Sequence, residues 1–240
     1  MKSTIRFTKT QQCFLALEAP MATQKIVLQV KQWMDAVACE MGDRLHEIVI
    51  EPRGCHFFFK KKVREKNLKK TLAVCWETLA AKHTIPYRSW VFPLFWDSSS
   101  ESDLMHHFQG DIGLVTGYQK QFIRQPLYAS FYGFLPGFVY MGGLPKNMQL
   151  PRRNEPRLQV PHGSVAVGER YVGIYPQASP GGWQLLGRTP VALFDRDRTP
   201  SFFLEPGDRI LWESIEGVPY EKWETTNEFF PKHTDETFVL

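Results

Sequence analysis

Cysteine is sparse in this chain and badly placed for chemistry. Cys13, Cys39, Cys55 and Cys75 all fall in the first third, and none belongs to a C-x-x-C pair. That spacing argues against a zinc ribbon or a disulfide scaffold and fits free thiols in a reducing compartment. No run of about 18 apolar residues is present, so no membrane-spanning helix is expected. The opening MKSTIRFTKTQQC lacks the apolar segment of a secretory leader, and the expected location is cytoplasmic. Basic charge is in slight excess only: 29 Lys and Arg against 25 Asp and Glu give +4. Such an excess falls short of the basic stripe that recruits nucleic acid. The patterns G-x-x-x-x-G-K-[ST] and G-x-S-x-G are also missing, which excludes a P-loop and a nucleophile elbow. Glycine is nearly absent from residues 1–96, where only Gly42 and Gly54 occur.

The glycine and proline instead gather in residues 133–207, so the two halves are expected to fold differently. In the first half, Val27, Val30, Met34, Val37 and Met41 step by three and four, predicting a helix that Gly42 ends. IVIEPRGCHFFF reads as a hairpin about Pro-Arg-Gly. Leu68, Leu72, Cys75 and Leu79 predict a second helix. With IRFTKTQQCFLALE and YRSWVFPLFW as flanking strands, the order is β-α-β-β-α-β, an α+β ferredoxin-like domain over 1–96. Residues 97–127 read as a connector of two short helices broken near Gly110 and Gly113, with Ser100 or Ser102 as cap. From 128 to 240 short strand candidates alternate with turn residues, which predicts a closed or strongly bent β-sheet.

Among the groups able to do chemistry, Lys60, Lys61, Lys62, Arg64, Lys66, Lys69 and Lys70 read as a solvated face, because aromatics are few and Glu65 dilutes the field. His106 and His107 are adjacent on a helix, lack the i, i+4 spacing of paired ligands, and signal no metal. PRRNEPR is more specific. Arg152, Arg153 and Arg157 stand between Pro151 and Pro156, and their planar forks suit a carboxylate or phosphate. The competing reading is structural pairing with acids such as Asp195 and Glu205. In SPGGW the amides of Gly181 and Gly182 are candidates for an anion-binding nest beside Trp183, the alternative being a tight turn over a buried ring. Ser164 follows His162 without an identifiable acidic third member, so a hydrolase triad is not expected.

GFLPGFVYMGGLP, LPRRNEPRLQVPHGSVAVG, GIYPQASPGGWQLLGRTPVALFD and LEPGDRI, in that order, resemble the successive signatures of the allophanate hydrolase subunit 1 family. That family includes the 5-oxoprolinase B subunit and the KipI-like carboxyltransferase domain. The resemblance implies an α/β N-terminal domain followed by a cyclophilin-like β-barrel whose mouth the Gly/Pro turns line. It also implies a non-autonomous component of an ATP-dependent enzyme that opens the lactam of 5-oxoproline to glutamate. The companion A and C subunits are the implied partners, the C subunit most directly, and ATP is used by the complex at a place this chain does not reveal. The KipI-like alternative is a protein that binds and inhibits a sensor histidine kinase. Since the substrate carries a carboxylate, the resemblance makes Arg152, Arg153, Arg157 and Arg188 anion-binding residues, with Ser164, Tyr175 and Trp183 as hydrogen-bonding groups and wall. It names no general base. The chain departs from the family pattern at three places. FWDSSSESD replaces a glycine-rich turn and keeps only Asp103 of its ending, His162 replaces an alanine, and Tyr171 and Val172 replace a Gln-Thr pair. Each exchange changes the polar partners a ligand would meet.

Overall fold

The structure, a computed structural model, describes residues 3–7, 12–17, 23–52, 54–60, 62–80, 84–216, 220 and 230–239. The chain forms two compact units, residues 1–87 with 236–240, and residues 88–235.

In the first unit, β1 (Ser3–Phe7), β2 (Gln12–Leu17), β3 (Leu45–Glu51) and β4 (Gly54–Phe59) form an antiparallel sheet in the order β1-β2-β4-β3. Helix α1 (Gln24–Met41) begins at Thr23, whose hydroxyl accepts from the Ile26 N–H. It ends at Gly42, with φ +51°, as its sequence predicts. Trp33 rather than Met34 completes the buried stripe with Val27, Val30, Val37 and Met41. Its indole donates to the Leu72 carbonyl of α2 (Glu65–Ala80) at 2.9 Å and packs edge-on against Phe57 and Trp76. Leu68, Leu72 and Cys75 are buried along α2, while the side chain of Leu79 lies outside the described residues, as does Lys61 of the basic cluster. The described members of that cluster are exposed, with Lys69 bonded to Glu65 one turn away.

Two strands depart from the expected β-α-β-β-α-β order. The run IRFTKTQQCFLALE forms two strands, because its polar middle interrupts the apolar pattern. The strand expected to close the ferredoxin-like sheet, β5 (Thr84–Trp96), runs on into the second unit and pairs there; the edge beside β2 is taken by β1. From Trp90 to Phe95 only Val91 is exposed, the near-continuous burial of a strand covered on both faces.

The second unit is a closed barrel. Its strands are β6 (Leu127–Tyr132), β7 (Val139–Gly142), β9 (Ser164–Gly168), β10 (Tyr171–Ile174), β12 (Gln184–Arg188) and β13 (Arg209–Ser214), together with β5. The order β12-β9-β10-β7-β6-β13-β5 is closed by β12 pairing with β5, and β14 (His233–Val239) lies outside beside β5. A separate ribbon joins β8 (Arg157–Val160) to β11 (Ser179–Gly181). The seam is tight: a Cβ on Gly187 would overlap the Phe95 carbonyl oxygen across the β12–β5 pair. β5 and β13 run parallel, Ser89 opposite Arg209 through Leu94 opposite Ser214. Asp208 locks their start, accepting from the Arg88 and Glu205 backbone N–H groups and the Trp90 indole at 2.9, 2.9 and 3.0 Å. GFLPGF makes the turn from β6 to β7, with Gly137 at φ +88° against Phe194 and Pro176.

The connector is part of this unit. Ser102 caps α3 (Asp103–His107), Asp111 caps α4 (Ile112–Arg124), and the break falls at Gly110, with φ +81°. Leu104, Val115, Tyr118 and Phe122 enter the barrel core beside Trp96 and Trp212.

Candidate functional site

Two concavities involve residues that the sequence singles out. The larger, about 910 Å3, opens where β5 and β13 end together. Its walls include Phe95, Trp96, Leu185, Ile215 and Tyr220; its polar groups are Asp97, Ser98, Ser99, Gln119, Ser164, Arg188 and Glu216. Ligand sites at the carboxyl ends of parallel strands have a general cause: side chains from neighbouring strand ends converge there. Asp97 is fixed by its own N–H, which donates to the Leu186 carbonyl at 3.0 Å, and by its carboxylate, which accepts from the Ser99 N–H at 3.0 Å. Trp96 is held by its indole donating to Ser214 Oγ at 3.0 Å and by a T-shaped contact with Phe122.

Arg188 and Ser164 stand opposite one another in the β12–β9 pair. Arg188 Nε and Nη2 donate to the His162 carbonyl at 3.2 and 2.9 Å, and its guanidinium lies 3.8 Å from the centre of the Tyr220 ring. Ser164 Oγ donates to the Pro161 carbonyl at 2.7 Å.

The remaining expected arginines lie elsewhere. Arg153 Nη1 and Arg157 Nη2 both donate to Asp103 Oδ1, at 2.9 and 2.5 Å, while the Leu185 N–H donates to Asp103 Oδ2 at 2.6 Å. The Asp103 side chain is 1% exposed. This carboxylate, at the first turn of α3, is therefore the partner of two of the three loop arginines, in place of the Asp195 and Glu205 expected from sequence. Glu205 pairs with Arg88 and Asp195 accepts from the Asp197 N–H. Arg152 stands 3.7 Å from Glu169, both side chains well exposed. Arg152 and Arg153 border the second concavity, about 520 Å3, with Asp103, His106, His107 and Gln184.

Tyr175, Gly181, Gly182 and Trp183 do not line the large cavity. Tyr175 and Trp183 are buried with Phe138 and Val160, ring packed on ring edge. Burial pushes the Tyr175 hydroxyl above its ordinary pKa, a shift that a hydrogen bond with the Trp183 backbone opposes. Gly181 pairs opposite Arg157, and Gly182 gives its carbonyl to the Arg153 N–H at 2.7 Å. Neither has the positive φ of an anion nest, so this segment is a ribbon edge over a buried tryptophan. Of the departures from the family pattern, Val172 is in the barrel core and Tyr171 packs edge-on against Phe131 and Tyr140. The FWDSSSESD segment, in contrast, supplies Trp96, Asp97, Ser98 and Ser99 to the large cavity. These four and Glu216 are not evident as site residues in the sequence; the one signal is the exchange of glycine for side chains in a loop that follows a strand.

Residues 4–204 match the model of the carboxyltransferase domain, subdomain C and D. The chain belongs to this family. Among its relatives, the 5-oxoprolinase B subunit of Escherichia coli O157:H7 is 54% identical over 80 residues, covering 33% of this chain and 37% of that protein. The 5-oxoprolinase B subunit of Haemophilus influenzae (strain ATCC 51907 / DSM 11121 / KW20 / Rd) is 46% identical over 99 residues, or 41% of this chain and 46% of that one. The matched stretches thus span less than half of these relatives. Urea carboxylase of Kluyveromyces lactis contains the same fold, with a TM-score of 0.69 at 17% identity over 99% of this chain and 24% of that one. Carboxyltransferase-domain membership agrees with the motif order read between residues 133 and 210. Among the described residues, no helix is long and apolar enough to cross a membrane.

Proposed function

We propose that this chain is the B subunit of a multi-subunit, ATP-dependent 5-oxoprolinase, a cytoplasmic assembly that opens the lactam of 5-oxoproline to L-glutamate. The observation that carries the reading is the 54% identity over 80 residues to a 5-oxoprolinase B subunit, beside a family match spanning residues 4–204. Its barrel is of the cyclophilin-like kind, and its contribution is the large cavity, where Arg188 and Ser164 meet an amide beside Asp97 and Glu216. Arg153 and Arg157 serve that wall indirectly: they hold Asp103, which in turn fixes Leu185 on β12. The same cavity does not suit a triphosphate, because two carboxylates share its rim with one arginine and repel a polyanion. ATP is therefore assigned to the companion A and C subunits, of which the C subunit makes the more direct contact. The role left to this chain is to bind and orient the amide away from bulk water.

The test is glutamate formation from 5-oxoproline with ATP, comparing this chain alone, the companion subunits alone, and the mixture. Activity confined to the mixture is expected. A stable complex that makes no glutamate sinks the substrate assignment, and failure to associate sinks the reading as a component of that complex.

A further inference from the structure

Of the described carboxylates in the second unit that are not exposed, Asp103 is paired with Arg153 and Arg157, and Asp208 with Arg88. Asp97 is the exception. Half-buried at the end of β5, it accepts from the Ser99 N–H at 3.0 Å and, among the described residues, meets no cation. The arginine of the same cavity does not supply one, because Arg188 donates to the His162 carbonyl and packs on the Tyr220 ring. Taking a carboxylate part-way out of water without a counter-charge is unfavourable, so a ligand cation would recover what the fold leaves unmatched. The space in front of it measures about 910 Å3, within the range that holds a small organic molecule. Around it stand the Glu216 carboxylate, the Ser98 hydroxyl and the Gln119 amide, none with a hydrogen-bond partner among the described residues. Phe95, Trp96 and Ile215 supply apolar wall, and since the Trp96 N–H is given to Ser214 Oγ, what remains for a ligand is its ring.

We propose that the cavity binds a primary amine with an apolar body, its ammonium group on Asp97 with Glu216 as a second, outer acceptor, and its hydrocarbon against Phe95, Trp96 and Ile215. Two carboxylates and one engaged guanidinium leave the lining with a net negative charge, which favours a cation over a carboxylate. An ammonium carries three donors, and the two carboxylates with the oxygen of Ser98 or Gln119 can accept all of them. The Trp96 ring adds its own attraction for positive charge. A hard metal ion fits less well, since it takes about six or more oxygen ligands and gains nothing from the apolar half of the wall. The inference goes beyond the 5-oxoprolinase reading and does not rest on it, for a lactam carries no ammonium group.

The experiment is calorimetric titration of the full chain with benzylamine, benzyl alcohol, benzoate and magnesium chloride at neutral pH. The wild-type protein is expected to bind benzylamine at least about tenfold tighter than benzyl alcohol, and benzoate more weakly than either. Asp97→Asn keeps an oxygen for the Ser99 N–H and loses the charge, so it should erase the preference for the amine while the urea midpoint stays in place. Glu216→Gln should erase a smaller part. Glu213 is exposed on β13 outside the cavity, and Glu213→Gln should change nothing. The proposal is overturned if the wild-type protein binds no amine, if the alcohol binds as tightly, or if Asp97→Asn binds the amine as the wild type does. Saturable magnesium binding that Asp97→Asn abolishes would also overturn it, by making the site a metal site. These readouts need neither companion subunits nor turnover. Absence of glutamate formation with the amine preference intact removes the 5-oxoprolinase reading alone, while glutamate formation without an amine preference removes this one alone.

Discussion

At Asp103 one carboxylate joins three segments of chain: α3 that bears it, the PRRNEPR loop through Arg153 and Arg157, and β12 through the Leu185 N–H. Asp103→Ala leaves both arginines without their shared acceptor and the partly buried Leu185 N–H without the carboxylate it donates to. The expected loss is about 2 kcal/mol, below that of a fully buried pair because Arg153 and Arg157 are 34% and 26% exposed and recover water. Asp103→Asn should lose less, since its amide oxygen still accepts from Leu185. Urea unfolding measures both, and an alanine variant as stable as the wild type would refute the clamp. The arginines were legible in the sequence as a group bound for an anion; their partner was not. It lies 50 and 54 residues away, and a carboxylate at the end of a serine-rich segment carries no local mark of the fork it meets.

At the scale of elements, what local pattern can specify was readable. The two helices of the first unit, the 45–59 hairpin and the short helices after Ser102 follow from periodicity, caps and turn residues. Partner choice was not readable, and β5 shows why. Its sequence marks it as a strand, yet nothing within it says that its neighbours are β13 and β12 rather than β2. Sheet edges are chosen by the whole molecule, and here β1 had already taken the edge that β5 was expected to fill. The closure has its own test. Gly187→Ala should cost about 3 kcal/mol, because the added methyl meets backbone, which cannot rotate aside as a side chain can. A variant with an unchanged denaturation midpoint would show that the seam is looser than the β12–β5 pairing implies.

For the whole molecule, the division after Tyr87 makes a calorimetric prediction. The first unit is organised around Trp33, buried to 1% exposure and bonded to Leu72; the barrel has a separate core about Trp90, Phe92 and Trp212. Heating should give two resolvable transitions. Trp33→Ala, at a cost of about 3 kcal/mol, should lower one and leave the other in place. A single transition that moves as a whole would mean that the units unfold as one cooperative body.

The parallel pairing of β5 with β13 also sets a timetable for synthesis. Arg88 meets Asp208 across a gap of 120 residues, so β5 leaves the ribosome long before the strand beside it exists. Closing so long a loop is slow, and until it closes the edge of β5 that faces β13 stands open. An unpaired apolar edge is a site of aggregation, and that exposure lasts until about residue 214, when the barrel acquires the strand that completes it.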